Sequence, residues 1–574
     1  MIKVSDYIAK FLAEKNITTV FELSGGMITH LLDSLYFQES ISVVTMHHEQ
    51  GASFAAEGYA RISNLPGVAL ATSGPGATNL LTGIGSCYFD STPAIFITGQ
   101  VNRHELKGDR GIRQLGFQET DIVSMAEPIT KWAVQVLDAE QIPSIFEKAF
   151  QLSMEGRPGP VLIDIPMDIQ RAMINMPQDN SNNLETVSQF YSDEISKLIT
   201  DIKCSKKPLL LVGRGIRAGK CASDLLEFIT KTKIPVISTL LGLDVIPYDN
   251  NFRVGFIGSY GNRWANLAFG ESDLVIVLGA RLDIRQTGAD VGFIEKRKIY
   301  HVDCVLEEIN NRVKGCVPIN TDLNSFFESF REISQSEKFD EKLDWQFRIK
   351  ELKSTWPDVN ELSPQGINPN KFIHSLSKKS QSSFAYTADV GSHQMWAAQS
   401  LELSSHQQFL TSGGMGAMGF SLPAAIGASI ALDNAPVVVL VGDGSFQLNI
   451  QELQTIKRNN LPIKIIVFNN NSLGMIRQFQ DSYFDSRYQS TYWGYSAPDF
   501  EKIAVAYGIE ARSIKTENEV DNQIDWLWSD ENKNKPQLLQ VEIDPKTNTY
   551  PKIAFGRPIT EMEPFATPIE MEGT

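Results

Sequence analysis

Two apolar runs, PVVVLV at 436–441 and PIKIIVF at 462–468, bracket an amphipathic stretch built on QELQTIKRN. Short runs this apolar are buried strands, and a helix between two of them is a crossover that makes them parallel. The first run closes on Gly442-Asp443-Gly444 and the second on Asn469-Asn470, with Asn470 27 residues after Asp443. Both side chains therefore arrive at the carboxyl edge of one parallel sheet, where α/β proteins bind ligands. Gly-Asp-Gly by itself signals only a turn. With a second oxygen ligand at the same edge, and glycines that admit backbone to phosphate, the pair suits a magnesium diphosphate.

The same alternation of strand-like runs and helical patterns extends along all 574 residues, which predicts an α/β fold. Two polar stretches, near 175–189 and roughly 334–369, lack periodicity, carry Asn, Ser and Pro, and read as interdomain linkers. They divide the chain into 1–180, 190–335 and 365–574, each able to hold a doubly wound parallel sheet. No short sequence repeat is visible.

A net charge of −16 opposes nucleic acid and anionic membrane surfaces, and gives no general attraction for an anionic substrate. The apolar runs are far too short to span a bilayer. Near the amino terminus, Val4, Ile8, Phe11 and Leu12 fall at helical spacing among charged residues, a core-facing helix rather than a signal peptide. Five scattered cysteines with no CxxC pair read as reduced thiols in a cytoplasmic setting and leave no zinc site.

The Gly-Asp-Gly and Asn-Asn unit resembles the cofactor signature of thiamine diphosphate (ThDP) enzymes. That cofactor's chemistry needs a carboxyl beside the N1′ nitrogen of its aminopyrimidine ring. Glu49, in MHHEQGASFAAEGYAR at the start of a helix, is the residue assigned to it. A dry cleft disfavours charge on a carboxyl and helps it hold a proton. Taken alone, a glutamate here would only complement a helix amino terminus. Further segments are similar to the acetohydroxyacid (acetolactate) synthase large-subunit family, over nearly the whole chain. They include ATSGPGATNLLTGIGSCYFDSTPAIFITGQV (71–101), GFQETDIV (116–123), RPGPVLIDIP (157–166), GARLDIRQTG (279–288), HQMWAAQ (393–399), SGGMGAMGFSLPAAIGA (412–428) and SLGMIRQFQDSYFDSRY (472–488).

The resemblance implies an N-terminal pyrimidine-binding domain, a central FAD-binding domain and a C-terminal diphosphate-binding domain. It assigns magnesium to the side chains of Asp443 and Asn470 and the carbonyl of Ser472. Met418 would prop the bent cofactor and the Gly416 carbonyl would accept from its amino group. Ser392 and His393 would reach the diphosphate, with Gly391, Gly442, Gly444, Ser445 and Met475 around it. Gly26, Phe117 and Gln118 would line the reaction centre together with Glu49 from a second subunit. A homodimer or homotetramer is therefore implied, with room for a small regulatory subunit. For the middle block, PLLLVGRGIRAG places Gly213, Gly215 and Ala218 in a G-x-G-x-x-A pattern, weak evidence alone for a dinucleotide. No acid closes the next strand, PVIST, so an NAD site is excluded. The resemblance assigns Arg281 and Arg285 to FAD, with Asp303 and Asp322 on its adenosine portion. These aspartates read equally as strand-end turn residues. In that family the flavin takes no net part in the redox balance, so the resemblance implies a structural role for it.

The family's activity is decarboxylation of pyruvate and transfer of the two-carbon unit to a second carbonyl; a second pyruvate gives 2-acetolactate. Two positions depart from the family. Met167 stands where it has lysine, and Phe479 where it has tryptophan; Ser24 also replaces a proline before Gly25 and Gly26. A lost positive charge and a smaller ring point to a less anionic or differently shaped acceptor. Transfer to a nucleotide-linked keto-deoxysugar is thus a second reading, and a catalytically silent regulatory paralogue a third. Apolar repacking at both positions is the plain alternative.

Overall fold

The computed structural model of the chain describes residues 1–176 and 192–571. The two apolar runs form strands Val437–Gly442 and Ile463–Asn469, paired in parallel with Val437 opposite Ile463. Their sheet has six strands, in the spatial order Gln408–Thr411, Ala385–Ala388, Val437–Gly442, Ile463–Asn469, Gln537–Glu542 and Glu510–Ile514. Numbered along the chain, that order is 2-1-3-4-6-5, parallel throughout.

The first sheet repeats this topology. Its order is Ser42–Thr45, Thr19–Leu23, Gly67–Ala71, Ala94–Gln100, Pro160–Pro166 and Trp132–Gln135, again 2-1-3-4-6-5 and parallel. The middle sheet differs: Arg253–Phe256, Val236–Ser238, Pro208–Val212, Leu274–Leu278, Lys298–Asp303 and Val317–Asn320 lie 3-2-1-4-5-6. That is the order of dinucleotide-binding sheets. All three are the doubly wound parallel sheets expected from the alternating pattern.

Equivalent helices join the first and third sheets. Glu49–Ser63 follows the second strand of one, and Ser421–Ala431 follows the second strand of the other. Small residues let their backbones touch. A Cβ added at Gly58 would sit 2.1 Å from the Ala424 carbonyl oxygen, and one at Gly427 1.8 Å from that of Ala55. No side chain larger than hydrogen fits at either point.

The amino-terminal helix, Val4–Glu14, buries Val4, Ile8, Phe11 and Leu12 as their spacing predicts. The stretch 334–369 is not a plain linker. It contains the helix Leu343–Thr355, which buries Trp345, Ile349 and Leu352. The Trp345 indole donates to the Pro208 carbonyl at the start of the middle sheet (3.0 Å). Most of the other stretch, from 177 onward, lies outside the described residues. The carboxyl-terminal segment returns to the middle layer, where Ile553, Ile559 and Met562 share a core with Leu209, Val275 and Trp264. Among the described residues no helix is long and apolar enough to cross a membrane.

Candidate active site

In the third sheet, the strand order reverses between the parallel strands Ala385–Ala388 and Val437–Gly442, so a crevice opens beyond their carboxyl ends. The first strand leads through Asp389 and Gly391 into the helix Ser392–Ser400. The second leads into the short helix Asp443–Phe446. Asn470 and Ser472 follow the next strand, so Asp443, Asn470, Ser472, Ser392 and His393 all stand at the carboxyl ends of these strands.

Close glycine packing holds the pieces together. A Cβ on Gly442 would lie 2.8 Å from His393 Nδ1, and one on Gly391 2.7 Å from its Cε1. One on Gly474 would lie 2.8 Å from Asn470 Nδ2 and 2.9 Å from Ser392 Oγ. Met418 reaches the same place, its Cε 3.6 Å from the Cβ position of Gly444.

Three buried polar atoms here have no partner: Ser392 Oγ, His393 Nε2 and Ser472 Oγ. Unmet groups of this kind cost about 1–3 kcal/mol each, so a cluster of them marks a ligand site. Burial pulls the His393 imidazole down to about 3, so the ring is neutral and can offer an N–H to an anion without carrying charge. Burial also pushes the Asp443 carboxyl up to about 7, although the Tyr495 hydroxyl and nearby backbone N–H groups favour its ionised form. A divalent cation would restore the charge, and a carboxylate, an amide oxygen and a carbonyl form a hard set suited to magnesium. Ser445 donates to the Val390 carbonyl (2.8 Å), between Asp389 and Gly391. Met475 Sδ lies 3.6 Å from Thr549 Oγ1.

The first sheet's carboxyl edge gathers the residues assigned to the reaction centre. Glu49 opens its helix, is 7% exposed, and accepts from Asn79 Nδ2 at 3.0 Å. Gly76 stands beside it, its Cβ position 3.2 Å from Glu49 Oε1 and 2.8 Å from Thr72. Thr72 in turn abuts Gly25, next to Gly26. Gln118, at φ +65°, packs on Gly74. Phe117 is 79% exposed, so this edge presents a bare aromatic ring to solvent. Met167 opens the helix Met167–Gln170 on this layer, whereas Phe479 packs on Tyr483 and Phe484 in the third. Within one chain the two departures therefore sit on different sheets.

A second site lies at the middle sheet's switch point, between Pro208–Val212 and Leu274–Leu278. A cleft of about 710 Å³ is lined there by Arg281, Arg285, Asp303 and Asp322, as the sequence suggests, and by Gly215 and Ala218. The glycines act differently from a phosphate cradle. A Cβ on Gly213 would meet the Gly279 carbonyl at 2.3 Å, and one on Gly215 the Gly279 Cα at 2.6 Å, so they let two loops cross. Asp303 accepts from the Val305 N–H (2.9 Å) and Asp322 caps the helix Leu323–Ile333, so each closes a turn and also walls the cleft. Sequence reading missed Arg214, inside the GRGIRAG segment scanned for its glycines. Its buried Nε has no partner, and burial pulls the guanidinium down to about 10, as for a cation awaiting an anion. It also missed that the first and third domains complete the wall, through Phe89, Asp90, Gly413 and Gly414.

Family models place these layers among known proteins. The thiamine pyrophosphate enzyme N-terminal TPP binding domain matches 2–125, the central domain 195–330 and the C-terminal TPP binding domain 389–541. The acetolactate synthase isozyme 2 large subunit of Escherichia coli K12 is 36% identical, over 97% of this chain and 98% of its own. The acetolactate synthase large subunit of Lactococcus lactis is 35% identical over 97% and 95%, and acetolactate synthase 1 of Nicotiana tabacum 37% over 96% and 84%. Likeness of this degree along nearly the whole chain, together with the three family-model matches, means that the chain belongs to the thiamine pyrophosphate enzymes, in the acetolactate synthase large-subunit family.

Proposed function

We propose that the chain decarboxylates pyruvate and joins the two-carbon unit to a second 2-keto acid, as a ThDP- and magnesium-dependent carboligase of the acetolactate synthase type. One observation carries the reading: buried, unpartnered groups of Ser392, His393 and Ser472 lie at the strand ends that carry Asp443 and Asn470, Ser392 beside Asn470 at Gly474 and His393 beside Gly442. Thiamine diphosphate, when bound, supplies a carbon nucleophile and an electron sink for loss of carbon dioxide.

The chain supplies the rest. Asp443, Asn470 and the Ser472 carbonyl hold the metal, and His393 and Ser392 donate to the diphosphate without adding charge. Gly416 and Met418 shape the wall against the rings. Glu49, away from water and oriented by Asn79, holds a proton at the pyrimidine nitrogen. The exposed Phe117 and Gly26 support a homodimer whose second subunit covers this edge and brings its diphosphate crevice to Glu49.

Flavin adenine dinucleotide is the proposed occupant of the middle cleft. The reading is supported by the cleft's volume, its place at the switch point of a 3-2-1-4-5-6 sheet, and the cations Arg214, Arg281 and Arg285. Five free cysteines fit a reducing cytoplasmic setting. The keto-sugar reading is not favoured, since the full-length likeness is to acetolactate synthases. Retention of Glu49, Asp443 and Asn470 leaves nothing to recommend a silent paralogue.

The test is an assay of the purified chain with pyruvate, ThDP, magnesium and FAD, following both carbon dioxide and acetolactate. Both are expected to form. Carbon dioxide without acetolactate rejects the keto-acid acceptor, and no carbon dioxide rejects the carboligase reading.

A further inference from the structure

The loop 412–421, which carries Gly416 and Met418, is slung between two buried carboxylates. At its far end Asp389 accepts from the N–H groups of Gly419 (2.9 Å) and Ser421 (2.8 Å) and from the Ser421 hydroxyl (2.9 Å). At its near end the anchor comes from the first domain. Asp90 Oδ2 accepts from the Gly413 N–H at 2.8 Å and Oδ1 from the Gly414 N–H at 2.6 Å. Between the anchors, Gly416 has open space around its Cβ position.

Asp90 is itself fixed. It is 1% exposed, and Arg61 Nη2 donates to its Oδ2 at 2.7 Å and to Glu57 Oε1 at 2.5 Å. Arg61 Nη1 donates to the Thr411 carbonyl (2.7 Å), at the end of the strand entering the loop. One guanidinium therefore orients the carboxylate and grips the strand it serves. Packing leaves the loop no slack: a Cβ on Gly414 would sit 2.7 Å from Phe89 Cβ and 3.0 Å from Asp90 Oδ1, and one on Gly413 2.8 Å from Leu241.

We infer that Asp90, held by Arg61, is a positioning residue for the carboligation reaction. It sets the height of the Gly416–Met418 wall of the thiamine crevice from a different domain. Asp90, Gly413 and Gly414 also line the middle cleft, so the same anchor joins the two cofactor sites. This rests on the functional reading given above, because that reading is what assigns Gly416 and Met418 to the cofactor.

Two variants test it in the full chain saturated with FAD. Asp90→Asn removes the charge and one acceptor; Gly414→Ala leaves every charge in place and pushes the loop off its anchor. Thr92→Val, which removes the hydroxyl that accepts from Arg61 Nε (3.3 Å) and leaves the bonds to Asp90 in place, is the control. Equilibrium binding of ThDP with magnesium, and its near-ultraviolet circular dichroism when bound, are read beside kcat and KM. The inference expects ThDP affinity to fall at least about tenfold in Asp90→Asn and in Gly414→Ala. It also expects an altered dichroism signature, a lower kcat at unchanged pyruvate KM, and a control within about twofold of wild type. Affinity and kcat within about twofold of wild type in either folded variant overturn it. If Asp90→Asn does not fold, Gly414→Ala decides alone. Wild-type protein that fails to bind ThDP would instead refute the functional reading.

Discussion

Glu452 accepts from the backbone N–H of His47, at 3.0 Å to one carboxylate oxygen and 3.3 Å to the other. Its donor lies two residues before Glu49, so a buried acid of the third layer grips the turn that presents the proposed proton-holding residue of the first. Thr455 donates to the same carboxylate (2.7 Å), and Asn449 donates to Gln50 close by (3.1 Å). Replacing Glu452 by Ala leaves buried donors unmet and should cost about 1–3 kcal/mol of stability. Because the turn shifts, kcat should fall about 10- to 100-fold with flavin retained. Thermal unfolding and steady-state kinetics check both, and an unchanged kcat rejects the positioning argument.

Glu49→Gln keeps the size and the bond to Asn79 but cannot exchange a proton. Turnover of pyruvate should fall by at least about 100-fold, the usual scale of acid–base catalysis. Flavin absorbance and ThDP binding should persist. An active variant would refute the assignment of Glu49.

His374 offers a pH test away from chemistry. Burial alone would lower its pKa, but hydrogen bonds and charge from Asp358 (2.8 Å) and Glu402 (2.7 Å) outweigh that and raise it. Lys378, 3.9 Å from Glu402, and the Arg253 and Lys353 cations also face these carboxylates. A raised folded-state pKa gives stability that is whole below the ordinary value of 6.5 and is lost as pH rises through the raised value. The difference in melting midpoint between wild type and His374→Gln should therefore be largest near about pH 6 and shrink toward about pH 9. A difference that grows with pH contradicts the ion-paired arrangement.

Phe479→Trp with Met167→Lys restores the residues the family carries. A cation near an anionic substrate is worth about 1 kcal/mol at a partly exposed site, so the pyruvate KM should fall about fivefold and acetolactate yield rise. No change in either quantity assigns both positions to neutral repacking.

The crevice was legible because its residues follow apolar strands directly. Asp443 and Asn470 sit at strand ends that six buried residues announce in each case. Asp90 was not legible: its partners Arg61 and Gly413 lie 29 and 323 positions away. Arg214 was hidden among glycines that attract a motif search. The helix Leu343–Thr355 was overlooked since charged residues crowd it, yet Trp345, Ile349 and Leu352 keep i, i+4, i+7 spacing. The matching order of the first and third sheets leaves no trace as a repeat. Strand order is fixed by which runs are buried, and many apolar sequences satisfy that equally.

The backbone-to-backbone seam at Gly58 and Gly427 has a mechanical result. Where the Gly58 and Gly427 backbones meet Ala424 and Ala55, no side chain stands between the helices to change rotamer, so a slide of one outer domain along the other has to break van der Waals contact at both points.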